Sequence, residues 1–105
     1  MSHKTPESNW IALESLGHAA ECLKTLAHPH RLRILEMLAA ARYTVGELAE
    51  ACSIAPHVAS GHLRLMQRCG LLEPLREGRN VYYQIAEPCL HDILACSRKR
   101  FAKSV

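Results

Sequence analysis

Residues Ala55–Gly70, APHVASGHLRLMQRCG, form the most informative stretch of this 105-residue chain. Pro56 suits the first turn of a helix, where its missing N–H is not needed, and Gly70 suits the position just past a helix end. The apolar residues between them recur about one turn apart: Ala59, Leu63 and Met66. The opposite side carries small, polar and basic residues: His57, Ser60, Gly61, Arg64 and Arg68. Such a helix fits the major groove of DNA, although an ordinary amphipathic surface helix shows the same pattern.

The residues before this stretch predict the first helix of a helix-turn-helix. Thr44 and Glu47 form a T-x-x-E capping box, which places the start of a helix at Val45. That helix is expected to end near Cys52, and residues 53–55 form the turn into the next one. A helix, a short turn and a second helix of these lengths are typical of a helix-turn-helix.

Two further helices are predicted nearer the N-terminus. An apolar period runs from Asn9 to Leu26, and Gly17 predicts a break or kink in it, which gives one bent helix or two short ones. The next helix spans Pro29–Ala41, and His28 and His30 beside its proline are expected to cap or pack. Its buried side is expected to hold Leu32, Ile34, Leu35 and Leu38. Its outer side, towards solvent or a partner, is expected to hold Arg31, Arg33 and Glu36.

After the helix predicted within Ala55–Gly70, the periodicity of the sequence changes to that of a β-hairpin. Leu71–Arg76 and Val81–Ala86 are the strand candidates, and Glu77–Asn80 is the polar turn between them. A hairpin in this place is a wing. Its Arg76 and Arg79 could reach a phosphate or an A·T-rich minor groove.

The composition indicates one globular domain with a mildly basic surface. The formal net charge is +3 and the pI is near 8.7, which is compatible with a nucleic-acid partner. We expect a flexible tail at residues 1–8 and a single domain over 9–105. No apolar run approaches the roughly 20 residues that span a bilayer, and the polar N-terminus has no signal-peptide core, so a cytoplasmic location is expected.

The five cysteines are scattered along the chain. In a reducing compartment this makes them thiols, metal ligands or redox sensors rather than a disulfide framework. A thiol enzyme would need an activated cysteine beside a base. The chain has no C-x-x-C motif and no Cys–His pair in an exposing turn, so an enzyme is not expected. The basic polar stripe also argues against a pure protein-interaction module.

Four segments, in this order, resemble the ArsR/SmtB family of winged-helix repressors: LKTLAHPHRLRILEML, YTVGELAEA, SGHLRLMQRCGLLE and EGRNVYYQIA. The match covers roughly residues 19–87. The resemblance implies a mainly α winged helix-turn-helix with a two-stranded β-wing, which dimerises through its first and last helices. It also implies repression at an imperfect palindrome in double-stranded operator DNA, with release by a metal ion, a metalloid or a thiol oxidant. No cofactor is expected for folding.

The resemblance also bears on the DNA contacts. Ser60 and His62 match a polar S-x-H that the family often has in its recognition helix, whereas Gly61 departs from the commoner Arg or Glu. Base readout is therefore expected from His57, Ser60 and Arg64, and phosphate contacts from Arg64, Arg68, Arg76 and Arg79. The whole predicted DNA-binding set is His57, Ser60, Gly61, His62, Arg64, Arg68, Arg76 and Arg79.

The metal sites of the family are only partly represented. The segment YTVGELAE lacks the C-x-C pair of one site, and Arg100 and Lys103 stand where a last-helix site needs ligands. A site at the end of the recognition helix retains only Cys69. Some arsenic-responsive members use cysteines of the last helix, for which Cys89 and Cys96 are the candidates.

Cys89 and Cys96 lie on a last helix predicted from Pro88 to about Phe101. Their spacing corresponds to about 10.5 Å along a helix, which is too far for an intrahelical disulfide or for one shared ion in a straight helix. A cysteine of a second subunit, or Cys22 of the first helix, would have to complete a site for arsenite, antimonite or a thiophilic divalent ion. The alternative is that all three are packing residues.

The predicted function is a sequence-specific, homodimeric repressor that a thiol-bound metalloid or metal ion releases from its operator, with arsenite or antimonite favoured. The alternative within the same fold is a redox or reactive-sulfur sensor, in which two cysteines bond to each other instead of holding an ion.

Overall fold

The computed structural model describes residues 9–102, which form five helices and a two-stranded antiparallel sheet. The elements in chain order are α1 Leu13–Leu26, α2 Pro29–Ala40, α3 Val45–Cys52, α4 Pro56–Arg68, β1 Leu72–Glu77, β2 Asn80–Ile85 and α5 Cys89–Phe101. This is the predicted mainly α winged helix-turn-helix. The tail predicted at residues 1–8 lies outside the described residues. None of the helices within residues 9–102 is long and apolar enough to cross a membrane.

The helix-turn-helix begins and ends where its local sequence requires. The Thr44 hydroxyl accepts the Glu47 N–H at 3.1 Å, and the Glu47 carboxylate accepts the Thr44 N–H at 2.8 Å, so the predicted capping box forms. Ser53 ends α3 in the left-handed region with φ 57°. Pro56 opens α4, and Gly70 with φ 79° follows its end.

The structure corrects the start of the first helix and rules out the alternative of two short helices. Helix α1 begins at Leu13 rather than Asn9, and it is a single helix that continues through Gly17. A glycine inside a helix costs only about 1 kcal/mol relative to alanine, so the surrounding residues can carry the helix across it.

The core is formed where α2, α3, α4, β1 and α5 meet. Seven large side chains are almost wholly buried there: Ile34, Leu35, Leu48, Leu63, Met66, Leu72 and Leu90. Burying each such side chain contributes about 1.5–3 kcal/mol. Leu32 and Leu38, which were predicted to be buried, are half-buried.

The wing is a tighter hairpin than predicted. Glu77 and Asn80 pair across the strands, so the turn holds only Gly78 and Arg79. Gly78 has φ 63° at the first turn position, where a type II′ hairpin turn favours glycine. Arg42, between α2 and α3, contacts both strands of the wing. It forms an ion pair with the Glu77 carboxylate at 2.7 Å, and its guanidinium carbon lies 5.1 Å from the centroid of the Tyr82 ring.

Large apolar side chains remain exposed at the N-terminal end, along α1 and at the end of α5. Leu13 is 84% exposed and Phe101 is 72% exposed. Others in the same class are Trp10, Ile11, Leu16 and Leu23. Exposed large apolar side chains are candidates for contact with a partner, and α1 and α5 are the helices through which dimerisation was expected.

We predict that Leu63→Ala lowers the free energy of unfolding by about 2–5 kcal/mol, because it removes buried methyl groups from the centre of the core. Urea unfolding followed by circular dichroism measures this change. Gln67→Ala, at an exposed position of the same helix, is the matched control. Equal unfolding midpoints for the two variants would contradict the assigned orientation of α4.

Candidate nucleic-acid interface

Helix α4 is held by one face and presents the other to solvent. Ala59, Leu63 and Met66 are wholly buried against the core. On the opposite side His57, Arg64 and Arg68 are exposed, and Ser60 and Gly61 are half-buried. The structure therefore brings these five predicted residues to one accessible surface.

Gly61 leaves a low point in this surface. A β-carbon at this position would meet no heavy atom of the chain within 4 Å, so packing inside the protomer does not require glycine here. Its φ is not in the left-handed region, so the backbone does not require it either. The missing side chain lets a large partner approach the helix backbone closely.

The wing extends the positive surface beyond α4. Arg76 near the end of β1 and Arg79 in the turn are both exposed. Neither they nor Arg64 and Arg68 form an ion pair with any group in residues 9–102. Four guanidinium groups are thus available to an outside partner, and DNA phosphates are natural acceptors for them.

His62 lies apart from the other predicted DNA-binding residues. It is half-buried, and its Nδ1 accepts a hydrogen bond from Nε of Arg31 at 3.0 Å. Nη1 of Arg31 donates to the Thr25 carbonyl at 3.1 Å. Arg31 therefore joins the end of α1, the start of α2 and the middle of α4. The prediction that Arg31 faces solvent or a partner was wrong, because these two acceptors hold it inside the protomer.

His28, His30 and His62 form a histidine cluster between α2 and α4. Nδ1 of His28 accepts the His30 N–H at 3.1 Å, which confirms that His28 caps α2. The ring centroids are 4.7 Å apart for His28 and His62, 5.2 Å for His28 and His30, and 6.1 Å for His30 and His62. The sequence did not reveal this cluster, because His62 reaches the other two only through the tertiary fold.

The surroundings of the histidine cluster lower the pKa values of two of its rings. Burial lowers the pKa of His62, and the positive charge of Arg31 lowers it further, as do the neighbouring His28 and His30. The pKa of His28 is lowered by burial, by Arg31 and by His30. Neutral imidazoles can accept hydrogen bonds, as both rings do here, and they can bind metal ions.

The cysteines occupy two separate regions. The Cys22 thiol on α1 points to the Cys69 carbonyl at 3.8 Å, and Sγ of Cys69 lies 3.3 Å from the hydroxyl of Thr25. Cys89 and Cys96 are exposed on α5. Within residues 9–102 of one protomer, the histidine cluster is the one group of three or more potential ligands, so Cys22, Cys89 and Cys96 do not form such a group by themselves.

Local charges and burial raise the pKa values of two of these thiols. Burial raises the pKa of Cys22, and the adjacent Cys69 and then Glu21 raise it further. At the start of α5, hydrogen bonding to Glu87 and its negative charge raise the pKa of Cys89. A higher pKa reduces the thiolate fraction near neutral pH, and the thiolate is the form that binds metals and attacks oxidants.

Comparison with known proteins also indicates a helix-turn-helix transcriptional regulator. The family described as "Helix-turn-helix domain" matches residues 26–74. Rv0081, an HTH-type transcriptional regulator of Mycobacterium tuberculosis, is 39% identical over 85 residues, which cover 80% of this chain and 75% of that protein. The crystal structure of Rv0081 has a TM-score of 0.73 and 37% identity, and the match covers 89% of this chain and 92% of that one.

Two further relatives connect the chain to a family and to an assembly. The HTH-type transcriptional repressor SmtB of M. tuberculosis is 33% identical over 81 residues, 77% of this chain and 60% of that protein. The winged helix-turn-helix DNA-binding domain of Mb0332 from Mycobacterium bovis is homodimeric and is described as a possible ArsR-family regulator. Its solution structure has a TM-score of 0.74 at 27% identity, covering 98% of this chain and 94% of that one.

The fold and its exposed basic face define a winged helix-turn-helix DNA-binding protein. Its relatives and its fold are those of transcriptional regulators and not of enzymes, as the sequence predicted. The chain belongs to the ArsR/SmtB family of transcriptional repressors. DNA and a second copy of the chain are the partners that this family membership supports.

We predict that acid destabilises this protein through its histidine cluster. Because the pKa values of His28 and His62 are lowered on folding, the unfolded chain binds more protons as the pH falls through the ordinary value of 6.5. The stabilisation is therefore fully present above that pH and is lost below it. Urea unfolding at about pH 7.5 and about pH 5.5, with a chelator present, measures the loss.

His62→Gln is expected to reduce this pH dependence, since the glutamine carbonyl can still accept from Arg31 but does not titrate. His91→Gln, at an exposed position of α5, is the matched control. Equal pH dependence in the original protein and in both variants would rule out the cluster as its source.

Proposed function

We propose that this ArsR/SmtB-type repressor binds an imperfect operator palindrome as a homodimer and leaves it when its cysteines bind a trivalent arsenic or antimony species. The observation that carries the DNA-binding part is the set of four exposed, unpaired arginines shared by α4 and the wing within the described residues. A repressor of this kind acts in the cytoplasm.

The proposed DNA-binding residues differ in whether they contact base edges or phosphates. His57, Ser60 and Arg64 read base edges in the major groove, because they share the exposed face of α4 with the low point at Gly61. Arg64, Arg68, Arg76 and Arg79 contact phosphates, which supply affinity and register. His62 acts from the inner side of α4, where it fixes the helix through Arg31 rather than by touching bases.

The second copy covers the exposed apolar side chains of α1 and α5. Leu13, Leu23 and Phe101 would leave water on dimerisation, which is favourable in proportion to the apolar area removed. Two recognition helices related by a two-fold axis then read two half-sites, so the operator mirrors the symmetry of the dimer.

We predict that Arg64→Ala weakens operator binding by about 5- to 150-fold, equivalent to the loss of about 1–3 kcal/mol from a specific base contact. Gel shifts with the promoter of the chain's own operon, at fixed salt, measure the change. Lys24→Ala removes one positive charge from α1, where it is paired with Glu21, and serves as the control. Full, salt-sensitive and sequence-specific binding by Arg64→Ala would remove Arg64 from the interface.

The proposed inducer site uses the thiols of α5. Cys89 and Cys96 are both exposed, so they are accessible to a small thiophilic species and to cysteines of the second subunit. Cys89 and Cys96 lie too far apart along a straight helix to hold one ion by themselves, so a further cysteine would have to complete the site. Cys22 belongs to α1, the other helix through which dimerisation is expected, and is the remaining candidate. A thiophilic divalent ion would suit the same ligands.

A redox switch is the second candidate, and the position of the Cys22 thiol 3.8 Å from the backbone carbonyl of Cys69 favours it. A peroxide would oxidise one thiolate to a sulfenic acid, and the other thiol would displace water from it to form the disulfide. That bond would connect α1 to the end of the recognition helix. The raised pKa of Cys22 slows this reaction near neutral pH.

We predict that arsenite binds to the dimer and that a Cys89→Ser/Cys96→Ser double variant loses this binding and is no longer released from DNA. Native mass spectrometry counts bound arsenic, and gel shifts measure release. Cys52→Ser is the control, since its half-buried thiol points to the His30 carbonyl. If no arsenic binds and peroxide treatment produces a Cys22–Cys69 disulfide, the metalloid hypothesis is wrong and the redox-switch hypothesis is favoured.

A further inference from the structure

We propose that the histidine cluster is a binding site for a divalent transition-metal ion of the Zn²⁺ class, separate from the cysteines, and that the ion displaces Arg31 from the recognition helix. Ion binding by His28, His30 and His62 does not depend on the proposed inducer site. Only its effect on operator affinity rests on the proposed DNA-binding function.

The geometry of the three rings suits a small adjustment to a metal site. One nitrogen from each imidazole can be chosen so that all three lie within 4.8 Å of one another. Zn–N bonds of about 2.0–2.1 Å in a tetrahedral site place ligand nitrogens about 3.3 Å apart. The contraction needed is therefore at most about 1.5 Å, which rotations of half-buried side chains can supply. The rings are tilted by 51–70° to one another rather than stacked, so their edges can converge.

The hydrogen bonds of the cluster couple metal binding to Arg31. Nδ1 of His62 accepts from Arg31, so Nε2 of a neutral ring carries the proton. An ion at Nδ1 takes the place of the Arg31 hydrogen. An ion at Nε2 moves the ring proton to Nδ1, which can then no longer accept from Arg31. Either way the bond between Arg31 and His62 is lost.

The chemistry of the ligands selects the ion. Three imidazoles suit Zn²⁺, Co²⁺, Ni²⁺ or Cu²⁺, whereas Mg²⁺ and Ca²⁺ prefer oxygen ligands. The positive charge of Arg31 beside His62 opposes any cation while the guanidinium stays in place. The half-buried rings leave access for water or a further ligand to complete the coordination.

The position of the site gives the ion a route to the DNA-binding surface. His62 lies on α4 between Ser60 and Arg64, which face DNA, while His28 and His30 belong to the first turn of α2. An ion that draws His62 towards α2 and releases Arg31 changes how α4 is held. The expected result is a change in operator affinity, of about 5- to 150-fold if the coupling is of the usual size for allosteric proteins.

The first experiment titrates Co²⁺ alone into the full-length reduced protein and records its absorption spectrum. We expect visible d–d bands at one ion per protomer, removed by added Zn²⁺. His30→Ala should weaken this binding by more than the ~10–100-fold that outer-shell changes cost at metal sites. His30 is the best position to change because its side chain makes no hydrogen bond in the described residues, so the His28 cap and the Arg31 bond are retained.

Three further variants separate a ligand role from a structural one. His30→Cys should restore binding and add a thiolate-to-cobalt charge-transfer band, which a merely structural residue would not do. Arg31→Gln should raise the affinity for Co²⁺, because it removes the competing charge. His91→Ala, at an exposed position of α5, should leave the titration unchanged. Circular dichroism and urea unfolding check that each variant is folded.

The Cys89→Ser/Cys96→Ser variant distinguishes this proposal from the cysteine inducer site. Co²⁺ binding that persists there and is lost in His30→Ala supports the histidine site, whatever the response to arsenite. Co²⁺ binding that survives His30→Ala and is lost in the cysteine variant overturns it and leaves the inducer proposal intact. Zn²⁺ binding at the histidines with unchanged operator affinity supports the site and overturns its coupling to DNA.

Discussion

The recognition helix α4 must be held firmly while one whole face remains free, and this constraint organises the structure. Ala59, Leu63 and Met66 satisfy it from the apolar side, since they are wholly buried against the core. Arg31 adds polar contacts on the inner side, because it donates hydrogen bonds both to the Thr25 carbonyl and to His62. The apolar contacts supply stability, and the directional hydrogen bonds fix how α4 sits against α1 and α2.

Local signals in the sequence were enough for most of the fold. The Thr44 capping box, Pro56 and Gly70 each act within a few residues, so the ends of α3 and α4 could be read directly. The wing followed from a strand pattern around Gly78, with an error of one residue at the strand ends. Gly17 does not divide the first helix into two, because its helical cost is small compared with what its neighbours contribute.

The inner side of the site could not be predicted in the same way. Arg31 looks like an ordinary surface residue in the sequence, and only the fold brings it to two acceptors. His28 was expected to cap or pack, but its contact with His62 spans 34 positions of the chain and depends on how α2 and α4 pack. The exposed stripe of α4 was easier to predict, because amphipathic periodicity separates an outer face from an inner one.

The exposed apolar surface along α1 and at the end of α5 has a consequence for the life of the protein in a cell. A single protomer leaves Leu13, Leu23 and Phe101 exposed to water, and a second copy would bury part of this apolar surface. By mass action, association stabilises the folded state more as the chain becomes more abundant. Newly made or diluted chains are then the ones most open to proteases. Unpartnered protomers would then be degraded first, and the half-life of the protein would increase with its concentration in the cell.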